Sequence, residues 1–320
     1  MIKKYLQKSI INRKLCICKN KLKQKINFGH LPLINNYKTK KNLIKYPVVI
    51  SQCEKCFLIQ LKYSVSDKLL FSKNYSYLSG NSREKIYNFE SILAKIKKLS
   101  KKINPRILDV GSNDGSFLEL VKNKYSKVLG IEPTNCASIT INKGIDTIKS
   151  PLNFQLAKKI VNKYSKFDFI IATNILAHTN NIGGILKSIK LLLNKKGLSI
   201  IEVQYLYDLI SQRGFDSLHH EHAAYFTLSS IMKVMKNFGL YVFDAEKLSV
   251  HGGILRVYVS PNKKKIRKRL KKILNKENDK KIFNKIKRLN LFRKKFNYKI
   301  KKLLVKLKKN KKKIYGIGAE

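Results

Sequence analysis

Acidic residues are scarce in this chain: 19 Asp and Glu stand against 69 Lys and Arg, a formal net charge of +50 over 320 residues. A concentrated positive balance points to nucleic acid or to an anionic membrane. Here the basic residues are spread along the whole chain and peak only after residue 260. A dedicated nucleic-acid surface gathers arginines and aromatics on one element. Compositional drift is therefore the preferred reading, nucleic acid is disfavoured as a partner, and acidic substrates would still be attracted. No apolar run approaches the roughly 18–20 residues of a membrane span. The basic stretch Met1 to Lys14 has no apolar core of the signal type. These absences lead to the expectation of a cytoplasmic protein without a membrane span. The five cysteines are then metal ligands or packing residues rather than a disulfide framework. Nothing in the chain sets an oligomeric state.

What is present is a strand, a glycine turn and a helix in sequence. Ile107 to Val110 reads as a buried strand, Gly111-Ser112-Asn113-Asp114-Gly115 as a tight turn, and Phe117 onward as a helix. Gly111 and Gly115 allow the backbone to bend and a ligand to come close. This is neither the Gly-x-Gly-x-x-Gly of dinucleotide binders nor a Walker loop. Asp109 and Asp114 place negative charge at the turn, which suits a cationic or hydroxyl-rich ligand better than a pyrophosphate. A second apolar run, Lys127 to Glu132-Pro133, ends in an acid about 20 residues past the first glycine, the offset at which such folds grip ribose hydroxyls. The pair reads as a pocket for S-adenosylmethionine (SAM). The alternative is an ordinary α/β crossover without a cofactor.

Five segments organise the rest. Residues 1–65 form a small module in which Cys16-x-Cys18 and Cys53-x-x-Cys56 offer four thiols for a tetrahedral zinc, with His30 in reserve. The first pair is one residue shorter than the usual turn. Without metal, Leu31, Leu33, Val48, Val49 and Leu58 would have to hold the module. Residues 66–105 connect it to the core through the loop Tyr75-Ser76-Tyr77, a lid or plain packing, and a helical pattern at Ile86, Phe89, Ile92, Leu93 and Ile96. Residues 106–205 alternate strand and helix, which predicts a mainly parallel sheet with helices on both faces. Ligands in such sheets bind outside the carboxyl ends of the strands, where Asn174 and His178 join Asp109 and Glu132.

Residues 206–260 complete the core and hold His219-His220-Glu221-His222. A contiguous run cannot aim all its side chains at one ion. An imidazole beside a carboxylate serves better as a general acid/base pair, the carboxylate orienting the ring; metal ligation by part of the run and a solvated loop are the remaining readings. Residues 261–320 are a lysine-rich helical segment that ends as a strand enters Gly316-Ile317-Gly318, the expected start of a truncated domain.

Together these pieces resemble a known family, the three-domain SAM-dependent C-methyltransferases of nucleotide-linked keto-deoxysugars. The resemblance is carried by the four cysteines with Phe28-Gly29-His30-Leu31-Pro32-Leu33-Ile34-Asn35, the Tyr75-Ser76-Tyr77 loop, the glycine turn, Gly130-Ile131-Glu132-Pro133, Asn174 to His178, His220-Glu221-His222 with Tyr225, and His251-Gly252-Gly253-Ile254-Leu255-Arg256. It implies a zinc-binding N-terminal domain, a Rossmann-like class I methyltransferase core and a C-terminal domain that helps hold the sugar nucleotide. It implies the chemistry too: a base removes the proton beside a ketone, and the enolate takes the methyl group. His222 and Glu221 match the family's acid/base residues, and either Tyr75 or Tyr77 its active-site tyrosine. His219 stands where the family has a tyrosine. An RNA-modifying methyltransferase and an inactive SAM-binding remnant are the alternatives.

Overall fold

The computed structural model describes residues 10–34, 44–71 and 75–315. Asn35 and the terminal Gly316 to Glu320 lie outside the described residues. The chain begins with β1 (Ile10–Asn12), β2 (Leu22–Pro32), β3 (Lys45–Cys53), β4 (Ile59–Leu61) and β5 (Tyr63–Val65). β2, β3 and β4 pair antiparallel. Alternation along β3 buries Tyr46, Val48 and Ile50; Val48 and Ile50 pack with Ile26, Phe28, Ile59 and Leu61, and Tyr46 with Leu33, Val65 and Leu70.

The helix Arg83–Leu99 is capped by Ser82, whose hydroxyl accepts the Lys85 N–H at 3.3 Å. Phe89, Ile92 and Ile96 are buried on its inner face, and Lys85 and Asn88 share that face. Then come β6 (Ile107–Val110), β7 (Val128–Ile131), β8 (Thr147–Ile148), β9 (Phe167–Thr173), β10 (Leu193–Gln204), β11 (Ala224–Tyr225), β12 (Tyr241–Leu248) and β13 (Ile254–Ser260). Seven of these form the central sheet, in the order β8-β7-β6-β9-β10-β13-β12. β6 to β10 are parallel, and β13 runs against both its neighbours. The order turns back on itself at β6, so a crevice opens outside the carboxyl ends of β6 and β9. The weak third strand, expected near residue 147, is two residues long.

β11 does not join this sheet. It pairs antiparallel with β4, Ala224 opposite Gln60 and Tyr225 opposite Ile59, and becomes the fourth strand of the N-terminal sheet. Cys16, Cys53, Cys56 and Leu58 share one apolar cluster with Ile182, Leu228 and Ile231 of the core, so module and core pack as one body. The helix Asp279–Lys309 buries Ile282, Phe283, Ile286 and Leu289 against the N-terminal sheet, and its remaining turns stand exposed.

Across the inner strands β10 and β13, where Glu202 stands opposite Arg256, lies a buried ion pair. Arg256 Nε donates to Glu202 at 2.7 Å, with both side chains 1% or less exposed. Asn88 donates to the second Glu202 oxygen at 2.8 Å and accepts from Arg256 at 2.7 Å. Arg256 also meets Glu246 at 3.3 Å, but removing Arg256 leaves the Glu202 charge buried without its ion-pair partner. Arg256→Met should therefore lower unfolding free energy by about 3–5 kcal/mol in a denaturant titration. The double variant Arg256→Met with Glu202→Leu should recover much of that loss; a single variant as stable as the parent would refute the account.

Candidate active site and zinc centre

Three segments converge above the sheet. The first is the glycine turn. Gly111, Asn113 and Gly115 all take positive φ, at 75°, 51° and 77°. A Cβ on Gly111 would lie 2.0 Å from Ile175 Cδ1, so only glycine fits there. Buried Glu132 braces the turn: one carboxylate oxygen accepts Asn113 N–H and the other Thr134 N–H, each at 2.9 Å. A carboxylate oxygen has two acceptor sites, so both can still receive a hydroxyl. Asp109 is buried beside it. Burial pushes its carboxyl up to about 8, the charge of Glu132 adds to the shift, and Lys85 opposes it. A buried acid at the end of β6 and a hydroxyl-accepting acid at the end of β7 fit the amino and ribose groups of SAM.

The second segment is the tyrosine loop, which folds onto this turn. Ser79 N–H donates to Asn113 Oδ1 at 2.8 Å, Asn113 Nδ2 to Tyr77 O at 3.0 Å, and Gly80 N–H to Asp114 Oδ2 at 2.9 Å. The side chains of Asn113 and Asp114, expected at the cofactor, thus hold the loop in place. Pro133 is exposed beyond Glu132. Asn174 takes a φ of 58°, its N–H bonded to Glu202 O at 2.9 Å.

The third segment is the histidine turn. His222 N–H bonds to His219 O at 3.2 Å, which brings the two rings to 4.4 Å. His220 points the other way and meets Tyr46 O at 3.2 Å. Ala223 N–H donates to Ala177 O at 2.7 Å and Leu61 N–H to Ala223 O at 3.0 Å, so the turn is pinned on both sides. His178 meets His222 edge-on at 4.7 Å, and Phe71 lies beside both His178 and Tyr75.

His222 Nδ1 contacts Ser217 O at 2.7 Å. A carbonyl can only accept, so Nδ1 carries the proton and Nε2 keeps its lone pair. The orienting group is thus a backbone carbonyl rather than the expected carboxylate. Burial holds His222 below the usual histidine range, opposed by that contact. His178 lies well below it and His219 falls to about 2, each through burial first and neighbouring imidazoles second. The three rings are neutral at pH 7. Burial raises the Tyr75 hydroxyl, and the charges of Glu221 and Glu132 raise it further, so Tyr75 feels both the histidine turn and the acid that braces the glycine turn. Tyr77 instead feels Asp114 and is 43% exposed.

The zinc centre lies apart from this cluster. The sulfurs of Cys16, Cys18, Cys53 and Cys56 all lie within 4.8 Å of one another, with Cys16–Cys56 at 3.5 Å and Cys18–Cys53 at 3.4 Å. A regular tetrahedron of bonds of about 2.3 Å spaces its sulfurs by about 3.8 Å, so the set fits zinc. The short Cys-x-Cys pair reaches because its two sulfurs face opposite members of the second pair. His30 stands exposed on β2, outside this group.

Sequence reasoning missed Ser217, which acts through its backbone and leaves no residue-type signal. It also missed Lys85, which did carry one: Lys85, Phe89, Ile92 and Ile96 fall at helical spacing, so a lysine sits on the buried stripe.

The sheet order, the single reversed strand and the acid-lined glycine turn define a class I methyltransferase core. The chain belongs to the methyltransferase domain family, whose model matches residues 84–245. The "Putative zinc binding domain" model matches residues 16–71, and the C-methyltransferase C-terminal domain model matches residues 249–320. SAM is the cofactor of this class, and the four cysteines, all within the stretch the zinc-binding model matches, are the residues that would hold a zinc ion. Among curated proteins the chain is similar to C-methyltransferase NovU of Streptomyces niveus, at 26% identity over 242 residues, 74% of this chain and 57% of the relative. It is also similar to tRNA U34 carboxymethyltransferase of Campylobacter lari, at 24% identity over 120 residues, 35% of this chain and 41% of the relative. The chain thus spans about half the length of the curated relatives it matches. Among solved structures, a magnesium protoporphyrin IX methyltransferase from Synechocystis with bound SAH superposes with a TM-score of 0.45 at 14% identity, over 55% of this chain and 83% of the other. Among the described residues no helix is long and apolar enough to cross a membrane.

Proposed function

We propose that the chain is a SAM-dependent C-methyltransferase acting on a nucleotide-linked keto-deoxysugar, in the cytoplasm. The observation that carries the reading is the His222 tautomer, which leaves the Nε2 lone pair of a buried imidazole available beside His178 and His219. His222 Nε2 takes the proton on the carbon next to the ketone. Tyr75, kept protonated by its surroundings, donates to the developing enolate oxygen. Glu221 lies near Tyr75, and neutral His178 and His219 line the pocket without competing for the proton. Asp109, Glu132 and the backbone of Gly111 to Asp114 hold the cofactor, with Pro133 and Asn174 at its edges; SAM, when bound, supplies an electrophilic methyl group. We keep the division into a zinc module (1–65), a connector (66–105), a cofactor core (106–205), a catalytic segment (206–260) and a basic helical segment (261–320) as part of this reading.

The test is calorimetric titration of SAM into the whole chain and into Glu132→Ala, followed by turnover on a panel of keto-deoxysugar nucleotides. Losing hydrogen bonds to a charged acceptor costs about 1.5–3 kcal/mol. The variant should therefore bind at least about 10-fold more weakly. SAM binding without turnover on any keto sugar would favour the inactive remnant. No binding by the parent chain would sink the proposal.

A second expected result concerns pH. His222 must be neutral to act, and its proton affinity is lowered by burial. With SAM saturating, which takes the Asp109 titration out of the profile, kcat should be flat near neutrality and fall only as pH drops below about 6.5. An acid limb centred above pH 7 would exclude His222 as the base.

A further inference from the structure

A second concave surface lies away from the crevice, along the outer side of the helix Ile182–Leu192. Two cavities of about 730 and 830 Å³ adjoin there and share Asn181, Gly184, Lys187 and Phe238 as lining. One wall is the zinc module, with Lys19 and Lys55, and the other is the core, with Lys233 and Lys236. The trough continues past Lys190 to Lys166, which precedes β9 and so lies at the end of the sheet opposite Asp109 and Glu132. Gly183 and Gly184 keep its floor low, and a Cβ on Gly183 would meet the Phe238 ring at 3.2 Å. Among the described residues no Asp or Glu lines either cavity.

Three features narrow the ligand. Lysines on both walls without an acid among them call for a polyanion. An eleven-residue helix is about 16 Å long, so the trough is longer than one phosphate or one nucleotide. Phe154, 38% exposed, and half-buried Phe238 offer aromatic faces within it, and Lys158 stands 5.2 Å from the Phe154 ring centroid. Cations that track a backbone, with aromatics between them for bases, are the chemistry of single-strand binding. We propose that this trough binds single-stranded nucleic acid, its phosphates against the lysines and its bases against Phe154 and Phe238. The site is independent of the methyl-transfer crevice.

A chain of this charge will bind RNA to some degree at low salt, so the test must separate the trough from net charge. The affinity of a labelled twelve-nucleotide oligouridine is measured by fluorescence anisotropy across a salt series. The full chain is compared with a trough variant (Lys166→Gln, Lys187→Gln, Lys236→Gln) and a control of equal charge on the exposed end of the last helix (Lys299→Gln, Lys302→Gln, Lys306→Gln). Each phosphate contact contributes about 0.7 to the slope of log affinity against log salt for single strands. The trough variant should lose about 2 from that slope and the control almost nothing, and Phe154→Ala should weaken binding about 10-fold. Equal losses in the trough and control variants would reduce the effect to net charge and overturn the proposal. So would full retention of affinity by Phe154→Ala, or competition by polyglutamate as strong as by unlabelled oligouridine. Matching melting temperatures across the variants tie the differences to binding.

Discussion

His222→Asn is expected to lower kcat by about 10²–10⁴-fold on an accepted keto sugar while leaving SAM affinity unchanged. The size follows from the geometry. Asn can place its amide N–H where Nδ1–H of His222 meets Ser217 O, so the turn keeps its anchor. What it lacks is the basic nitrogen on the far side of the ring. The loss should therefore fall on the chemical step, with KM little changed. A second readout isolates proton removal: with SAM present, the parent enzyme should wash deuterium from the substrate's α-carbon into water, and the variant should not. A variant that exchanges the α-proton at the parent rate would move the base elsewhere, with His219 the next candidate because its ring lies 4.4 Å away.

Cys53→Ser is expected to reduce zinc content from one ion per chain to a small fraction and to unfold the N-terminal sheet. Apparent binding energies for structural zinc are about 10–16 kcal/mol, far more than a small module gains from its own core. The cysteines also need the metal to settle their charge. Cys16 falls to about 5 because the Cys56 thiol donates to it, burial drives Cys53 up to about 11, and the contact with Cys16 pushes Cys56 upward as well. A cation is what allows several buried thiolates to coexist. Hydrogen exchange should rise along β2, β3 and β4 while β6, β9 and β10 stay protected. A variant with full zinc, or with an unaltered N-terminal sheet, would contradict this.

Much of the fold was legible because its signals are local. The short run Ile107 to Val110 before Gly111, an acid at 132 and a clear strand at 167–172 place the core of the sheet without any tertiary knowledge. The cysteine pairs marked the metal site in spite of the short first spacing. The partners of the site residues were not legible, since they are set by long-range packing. Nothing near residue 113 says that its amide will hold the backbone at 77 and 79. Nothing near residue 222 says that a carbonyl, rather than Glu221, will orient the ring. Nor does the pattern after His222 reveal that Ala224 and Tyr225 leave the central sheet, because a two-residue strand has too few positions to show alternation.

That small strand has a consequence for how the enzyme would respond to metal supply. Because β11 begins two residues after His222 and pairs with β4 of the N-terminal module, melting of that module would release the turn proposed to carry the base. Zinc loading and competence then belong to one linked equilibrium. Chelation would act as an on–off control over the number of working molecules: the maximal rate would fall in step with zinc content, while each loaded molecule kept the same affinity for its substrates.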